Sequence, residues 1–305
     1  MGMEKHSGAR CGSVVLVCSM VAGALAACAP VRDTLPRDDG DSGAGLGSDA
    51  GAEPAGDAGI DAGAAGPRIY FYVRTNTEPF AHADGLSGQT AREAYQGIRS
   101  FTLMRGEDDP EPSVVLDLGD SLVEAGYNDG DETLVGSAPL SSVRPGHYTV
   151  GRNVVTHSRY TVSATMHVGG LVVPGELDNV QVLTAGTPID GVVRPQSWFR
   201  YVFRAAGREY PLEGVGAPLP TEPTTGGFRL VLEGGEAVYY YPIDVTIDES
   251  GDADVRLVLE VNMDHSFRWE DQALPGYTPG VFDSTPSGSE TVRRFGANSL
   301  DVLVE

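Results

Sequence analysis

The sequence predicts a mostly β protein: an antiparallel β-sandwich, either one large or two closely joined, with one or two short helices, after a disordered linker. Three observations predict it. Short runs of alternating apolar and polar residues recur from Arg68 onward, beginning with RIYFYVR. Clusters of Gly, Pro, Asn and Asp separate these runs, as turns require. The segment 29–67 contains no aromatic residue and few large aliphatic ones.

Residues 1–27 form a predicted signal peptide. Lys5 and Arg10 precede an uncharged, apolar run over residues 13–25, which is the order of a secretory leader. The run is shorter than the roughly 20 apolar residues that a membrane-spanning helix needs. Small residues then lead to a cysteine, which an ordinary cleavage site does not require.

The stretch Leu25-Ala26-Ala27-Cys28 resembles the lipobox of bacterial lipoproteins. The resemblance implies that Cys28 carries a diacylglycerol thioether, usually with an N-acyl group such as palmitate, and becomes the first residue of the mature chain. The membrane is then a partner through this lipid. Because Ala29 replaces the Asp that commonly retains such proteins at the inner membrane, the resemblance implies an outer-membrane location. Whether the body faces the periplasm or the medium stays open, as does a plain signal peptide with an incidental cysteine.

Composition excludes several kinds of chemistry from the mature chain. Cys11 and Cys18 lie in the leader and Lys5 is the only lysine, so disulfides, thiolate sites, a P-loop lysine and a Schiff-base lysine are excluded. The formal net charge is −22, which repels nucleic acid and predicts no nucleic-acid partner. Such a surface favours solubility, and it also permits binding of divalent cations or basic partners.

Residues 28–67 are predicted to be a disordered tether. Eight acidic residues and only two arginines accompany Gly, Ala, Ser and Pro between residues 29 and 67. A segment of this kind cannot bury enough apolar surface to offset its ordering entropy. As a flexible coil it spans about 35 Å, enough to hold the body away from a membrane.

The body is divided at residue 168 into a β-sandwich domain, 68–168, and a β-rich continuation or second β domain, 169–305. The segment HVGGLVVPGEL, His167 to Leu177, is the candidate hinge. Alternation predicts strands over 68–74, 98–104, 113–118, 147–156, 159–168, 179–183, 198–205, 228–233, 237–247, 255–263 and 299–305.

Capping-box spacing predicts the short helices. Thr90 with Glu93 would begin one helix, and Ser287 with Glu290 would begin another that ends at Gly296.

The stretch VRPGHYTV, Val143 to Val150, resembles the turn that leads into a strand in prealbumin-like and carboxypeptidase-regulatory-like sandwiches. In those families the glycine makes the turn and the tyrosine packs at the end of the sheet. The resemblance extends over Arg68 to Val168 and implies an accessory or binding module. It transfers no functional residue.

Two groups of residues could bind metal. Asp248, Ser250, Asp252 and Asp254 alternate as calcium ligands do, although a hairpin turn explains the same pattern. The sequence therefore predicts no cofactor and leaves calcium as the alternative. His147, His157 and His167 recur every ten residues on two strands predicted to be adjacent, and zinc binding would need two of them in register. His82 and His265 complete the histidines after the leader.

Aromatic and acidic residues suggest a carbohydrate site. Asp264, His265, Trp269, Glu270 and Asp271 are dense enough for a glycosidase carboxylate pair, but carboxylates are abundant throughout this chain. Trp198, Trp269 or the run 239–241 could stack on a sugar, while core packing explains the same residues.

No nucleophile or metal motif supports catalysis, so the sequence predicts no enzyme but a membrane-anchored, exported lipoprotein with a binding or structural role. A calcium-dependent or glycan-binding adhesion module is the alternative. A glycoside hydrolase-like enzyme is the third hypothesis.

Overall fold

Backbone pairing between distant segments builds the fold, which a computed structural model describes for residues 66–219, 227–248, 251–286 and 288–305. Cys28, the leader and the tether up to residue 65 lie outside the described residues. The described part contains a single 3₁₀ turn, Leu140–Ser142, and the following strands: β1 (Arg68–Asn76), β2 (Ser87–Gln89), β3 (Glu93–Met104), β4 (Ser113–Asp117), β5 (Val123–Gly126), β6 (Glu132–Pro139), β7 (Gly146–Val168), β8 (Leu171–Val182), β9 (Thr187–Ile189), β10 (Val192–Arg194), β11 (Trp198–Ala205), β12 (Arg208–Val215), β13 (Arg229–Glu233), β14 (Glu236–Ile247), β15 (Val255–Asn262), β16 (Phe267–Glu270), β17 (Asp283–Thr285), β18 (Gly288–Ser289), β19 (Thr291–Arg294) and β20 (Ser299–Val304).

The central strand is β7, which is 23 residues long and belongs to an 11-stranded sheet. One edge of β7 pairs with β3 and, near its end, with β17. The other edge pairs first with β14, over Gly146 to Val155, and then with β8, over His157 to Val168. The predicted strands 147–156 and 159–168 are therefore one continuous strand. Most of the pairing in both large sheets is antiparallel, as predicted.

The second large sheet has the order β20-β15-β1-β6, and its central pair, β1 and β15, is parallel. Alternation in β1 buries Ile69, Phe71 and Val73 completely. The ring of Phe71 stacks on Phe101 of β3, with centroids 3.9 Å apart. One hydrophobic core therefore joins the inner faces of the two sheets.

Residues on both sides of the predicted boundary at 168 share these sheets. β1 pairs with β15, and β7 pairs with both β8 and β14. All described residues fall in one compact unit. At the segment predicted as a hinge, Gly169 and Gly170 form the turn of the β7–β8 hairpin.

Both predicted helices are wrong, because their residues pair as strands. Glu93 begins β3 opposite Thr161 of β7, and the Thr90 hydroxyl accepts a hydrogen bond from the His265 amide. Near residue 290, β18 and β19 replace the second helix, and Ser287 lies outside the described residues. The open edge of β7 offers β3 more backbone hydrogen bonds than one isolated helical turn can form. No helix in the described ranges is long and apolar enough to cross a bilayer.

A β-bulge in β7 explains a glycine in β3. Between the pairs Gln96–Ser158 and Ile98–Val155, β7 contains one extra residue, the signature of a bulge. Thr156 and His157 both lie against Gly97. A β-carbon at Gly97 would be 2.2 Å from the Thr156 hydroxyl oxygen and 2.5 Å from Nδ1 of His157.

We expect Gly97→Ala to lower the free energy of unfolding by about 1–3 kcal/mol, the usual effect of overpacking a core. Gly106→Ala is the matched control, since a β-carbon at Gly106 would meet no atom within 4 Å; its effect should stay within about 0.5 kcal/mol. Urea denaturation of both variants measures the difference. Equal midpoints for the two variants would contradict the close approach at the bulge.

Candidate functional site

The two tryptophans proposed for sugar stacking are buried. Trp198 is 3% exposed and packs with Val180, Val182 and Ile189, while the Arg194 guanidinium lies 4.2 Å from the centre of its ring. Trp269 is 1% exposed and packs in the main core. Its indole N–H donates to Asp271, 3.0 Å away. Both side chains therefore serve packing in this structure and offer no open face.

The candidate calcium residues lie at the turn between β14 and β15. Asp248, Asp252 and Asp254 are exposed, and Ser250 lies outside the described residues. The Asp254 carboxylate accepts a hydrogen bond of 2.8 Å from the amide of Arg68, at the start of β1. Within the described ranges, no group of three or more His, Cys, Asp or Glu side chains could hold a metal ion.

The acidic cluster around residue 264 is divided among separate structural contacts. One Asp264 oxygen accepts from the amide of Phe80, and the other bonds Nδ1 of His265. Burial has the largest single effect and raises the pKa of Asp264, but these two hydrogen bonds together with electrostatic attraction to His265 and His82 leave the pKa below its ordinary value. Glu270 pairs with Arg293.

Asp271 serves a third set of contacts. It accepts hydrogen bonds from the Ser87 hydroxyl and the Gly280 amide. The three carboxylates of the cluster thus have different partners and do not form one constellation.

Each histidine of β7 has a carboxylate partner from another part of the chain. His147 pairs with Asp244 at 2.8 Å, and the other two pairs are His157–Glu124 at 2.7 Å and His167–Asp283 at 2.6 Å. All three histidines lie on one strand, not on two adjacent strands. Ten strand residues span about 33 Å, so no two of these histidines can share a metal ion. Sequence reasoning missed the acids because they follow or precede the histidines by many residues.

The His157–Glu124 pair lies beside the bulge. His157 is 1% exposed, and its Nδ1 contacts the Thr156 hydroxyl at 3.1 Å. The hydrogen bond from His157 lowers the pKa of Glu124, against the opposing effect of burial. Thr156 is fully buried, so the arrangement holds β5 against β7 and leaves the hydroxyl inaccessible as a nucleophile.

We expect protonation of Glu124 to contribute to the loss of stability at acid pH. Because its pKa is lower in the folded protein than in the unfolded chain, its contribution is present above the unfolded value, near 4.3, and is lost as pH falls through the folded value. Glu124→Gln keeps a hydrogen-bond acceptor but cannot ionise. Its melting temperature should therefore fall less than that of the wild type between about pH 5 and pH 3.

Asp244→Asn is the control, because the His147–Asp244 pair is exposed and screened by solvent. Its acid-side melting curve should follow the wild type. Identical acid-side slopes for Glu124→Gln and the wild type would contradict the assigned role of the pair.

A buried carboxylate network fixes the loop of residues 271–282. Asp283 accepts hydrogen bonds from His167 and from the amide of Thr278. Glu290, 1% exposed, accepts from the amides of Gln272 and Asp283, at 2.7 and 2.9 Å. Burial raises the pKa of Glu290, and the nearby charges of Asp283 and Asp271 add to this effect. The loop is therefore anchored at both ends.

Beside this loop the β7–β8 hairpin ends in three exposed aliphatic side chains. Val168, Leu171 and Val172 are 42%, 66% and 60% exposed. The ring of Tyr277, in the anchored loop, lies 4.7 Å from that of His167, which pairs with Val172. We call residues 168–172 together with the 274–277 turn the apolar tip. Its sequence signal is a Gly-Gly pair flanked by aliphatic residues, the same pattern that predicts a hinge.

A comparison of this chain with protein-family models, curated proteins and solved structures finds no match. The functional argument therefore depends on the residues described above.

Proposed function

We propose that this chain is an exported lipoprotein, anchored by lipid on Cys28 to the cell envelope at the outer membrane, and that its β body has a non-enzymatic binding or structural role. The order of charged region, apolar run, small residues and Cys28 supports the anchor. At least two acyl chains are needed for stable attachment, and a diacylglycerol thioether would supply them.

The use of the polar side chains supports a role without catalysis. Asp264, Glu270 and Asp271 have separate structural partners, and His157 and His167 are held by carboxylates in or near the core. A general acid or base must reach a substrate, whereas these groups connect strands and loops. The apolar tip is an accessible feature that lacks such a structural explanation.

The lipid anchor is tested by metabolic labelling of cells with a palmitate analogue. We expect the wild-type chain to be labelled and Cys28→Ala to be unlabelled. Cys18→Ala is the matched control, because Cys18 lies inside the apolar run of the leader, and it should keep full labelling. Equal labelling of wild type and Cys28→Ala would refute the anchor. If the anchor is confirmed, protease treatment of intact cells would show which side of the membrane the body faces.

An aromatic row on one face of β11 and β12 favours glycan binding as the second candidate. The rings of Phe199 and Tyr201 are 4.9 Å apart, and those of Phe203 and Tyr210 are 6.4 Å apart. Cross-strand pairing places Tyr210 opposite Phe203 and Leu212 opposite Tyr201, so these side chains share one face. Phe203 is buried in the main core, but Tyr210 is 53% exposed, which leaves part of the Tyr210 ring open for a sugar to stack on.

Affinity electrophoresis through gels that contain soluble polysaccharides tests this candidate. If the aromatic row binds glycan, Tyr210→Ala should weaken retardation about tenfold, equivalent to ~1.4 kcal/mol. Tyr70→Ala, on the other large sheet, should leave retardation unchanged. A wild-type chain that no polysaccharide retards would eliminate the glycan candidate and leave the anchor proposal intact.

A further inference from the structure

We infer that the apolar tip inserts into the interfacial region of a lipid bilayer, and that the bilayer it fits is zwitterionic. The inference extends the proposed envelope role by a second membrane contact. It does not depend on the lipid at Cys28, so each contact can fail without the other.

The distribution of exposed side chains on the hairpin favours a bilayer over a flat protein partner. Val168 and Leu171 form a cross-strand pair and therefore share one face. Val172 pairs with His167 and lies on the opposite face. A flat partner would cover one of these faces and leave the other in water, whereas a bilayer surrounds the inserted end of a hairpin on all sides.

The absence of charge at the tip also favours insertion into a bilayer. Residues 168–175 and 272–282 contain no Asp, Glu, Lys or Arg, although these types make up 21% of the chain. Transfer of an unpaired charge out of water is highly unfavourable, so a segment that enters a bilayer must lack charges. The β9–β10 hairpin, which also has exposed aliphatic residues, differs because Asp190 and Arg194 flank Val192 and Val193.

The tip is also held rigid before any contact. Gly169 and Gly170 have φ values of +57° and +81°, as in a two-residue type I′ turn, which matches the twist of the flanking strands. The β7–β8 ladder continues to the Val168–Leu171 pair, so backbone hydrogen bonds hold the two strands together up to the turn. The contacts of His167, Asp283 and Glu290 fix the adjacent loop. Little ordering is left to oppose insertion.

Charge determines which membrane fits. The tip contains no arginine to attract anionic headgroups, and the chain has a formal charge of −22. Anionic vesicles would therefore repel the body, the more so at low salt. The expected surface is electrically neutral, such as phosphatidylcholine, and attachment to it should depend little on salt.

Vesicle sedimentation with residues 29–305 tests the inference. This form keeps every described strand and removes both Cys28 and the apolar leader, which would itself bind vesicles. We expect it to sediment with phosphatidylcholine vesicles and at least tenfold less with phosphatidylglycerol vesicles. The double variant Leu171→Asp and Val172→Asp should lose at least tenfold in binding. The matched double variant Val192→Asp and Val193→Asp, which changes residues of 50% and 69% exposure, should bind as the wild type does.

A conservative variant reports insertion directly. Leu171→Trp keeps the tip apolar, and its fluorescence should shift to the blue with phosphatidylcholine vesicles and be quenched by brominated lipid. The buried Trp198 and Trp269 should contribute an unchanged background. The inference is overturned if the wild type stays in solution, if both Asp double variants lose binding equally, or if the emission of the Leu171→Trp variant does not respond. Self-association that Leu171→Asp abolishes, without vesicle binding, would also overturn it and assign the tip to a second copy of this chain.

Discussion

The backbone hydrogen-bonding capacity of β7 is the constraint on which the rest of the structure depends. A strand of 23 residues presents N–H and C=O groups on two long edges, and nearly all such groups must be paired when buried. β3 follows one edge for most of its length, and β14 and β8 divide the other. The division between β14 and β8 lies near residues 155–157, where the bulge and Gly97 also lie. The change of partner strand, the bulge and the close approach of Gly97 therefore occur at the same place along β7.

The same strand positions the polar groups. Because His147, His157 and His167 are ten residues apart on β7, each meets a different neighbouring segment: β14, β5 and the start of β17. Burial increases toward the middle of the strand, and the His157 pair is the one enclosed beside the bulge. Asp254, Asp264, Glu270 and Asp271, which sequence reasoning considered as ligands or acids, instead connect strands and loops of the body.

Acidic composition and an apolar tip are compatible because they occupy separate parts of the surface. Charged side chains cover the outer face of the four-stranded sheet, where Arg74 and Arg256 pair with Glu132 and Glu305. The apolar tip contains no Asp, Glu, Lys or Arg. The chain enters the body near Leu140, whose amide donates to the carbonyl of Pro67, shortly before β7 begins.

The sequence by itself determined the class of the fold and the positions of many strands, because residues with one buried face alternate as they do in β1 and in the second half of β14. It did not reveal β12, whose residues are exposed on both faces and so show no period. It also placed helices at Thr90–Gly97 and Ser287–Gly296, since local capping patterns contain no information about a distant strand edge. The candidate residues were found by type, but their partners were not: Glu124 for His157, Asp283 for His167, and the burial of Trp198 and Trp269. Only the tertiary structure decided these, because hydrogen bonding and desolvation depend on which distant segments meet, and a single sequence records that only through short-range patterns.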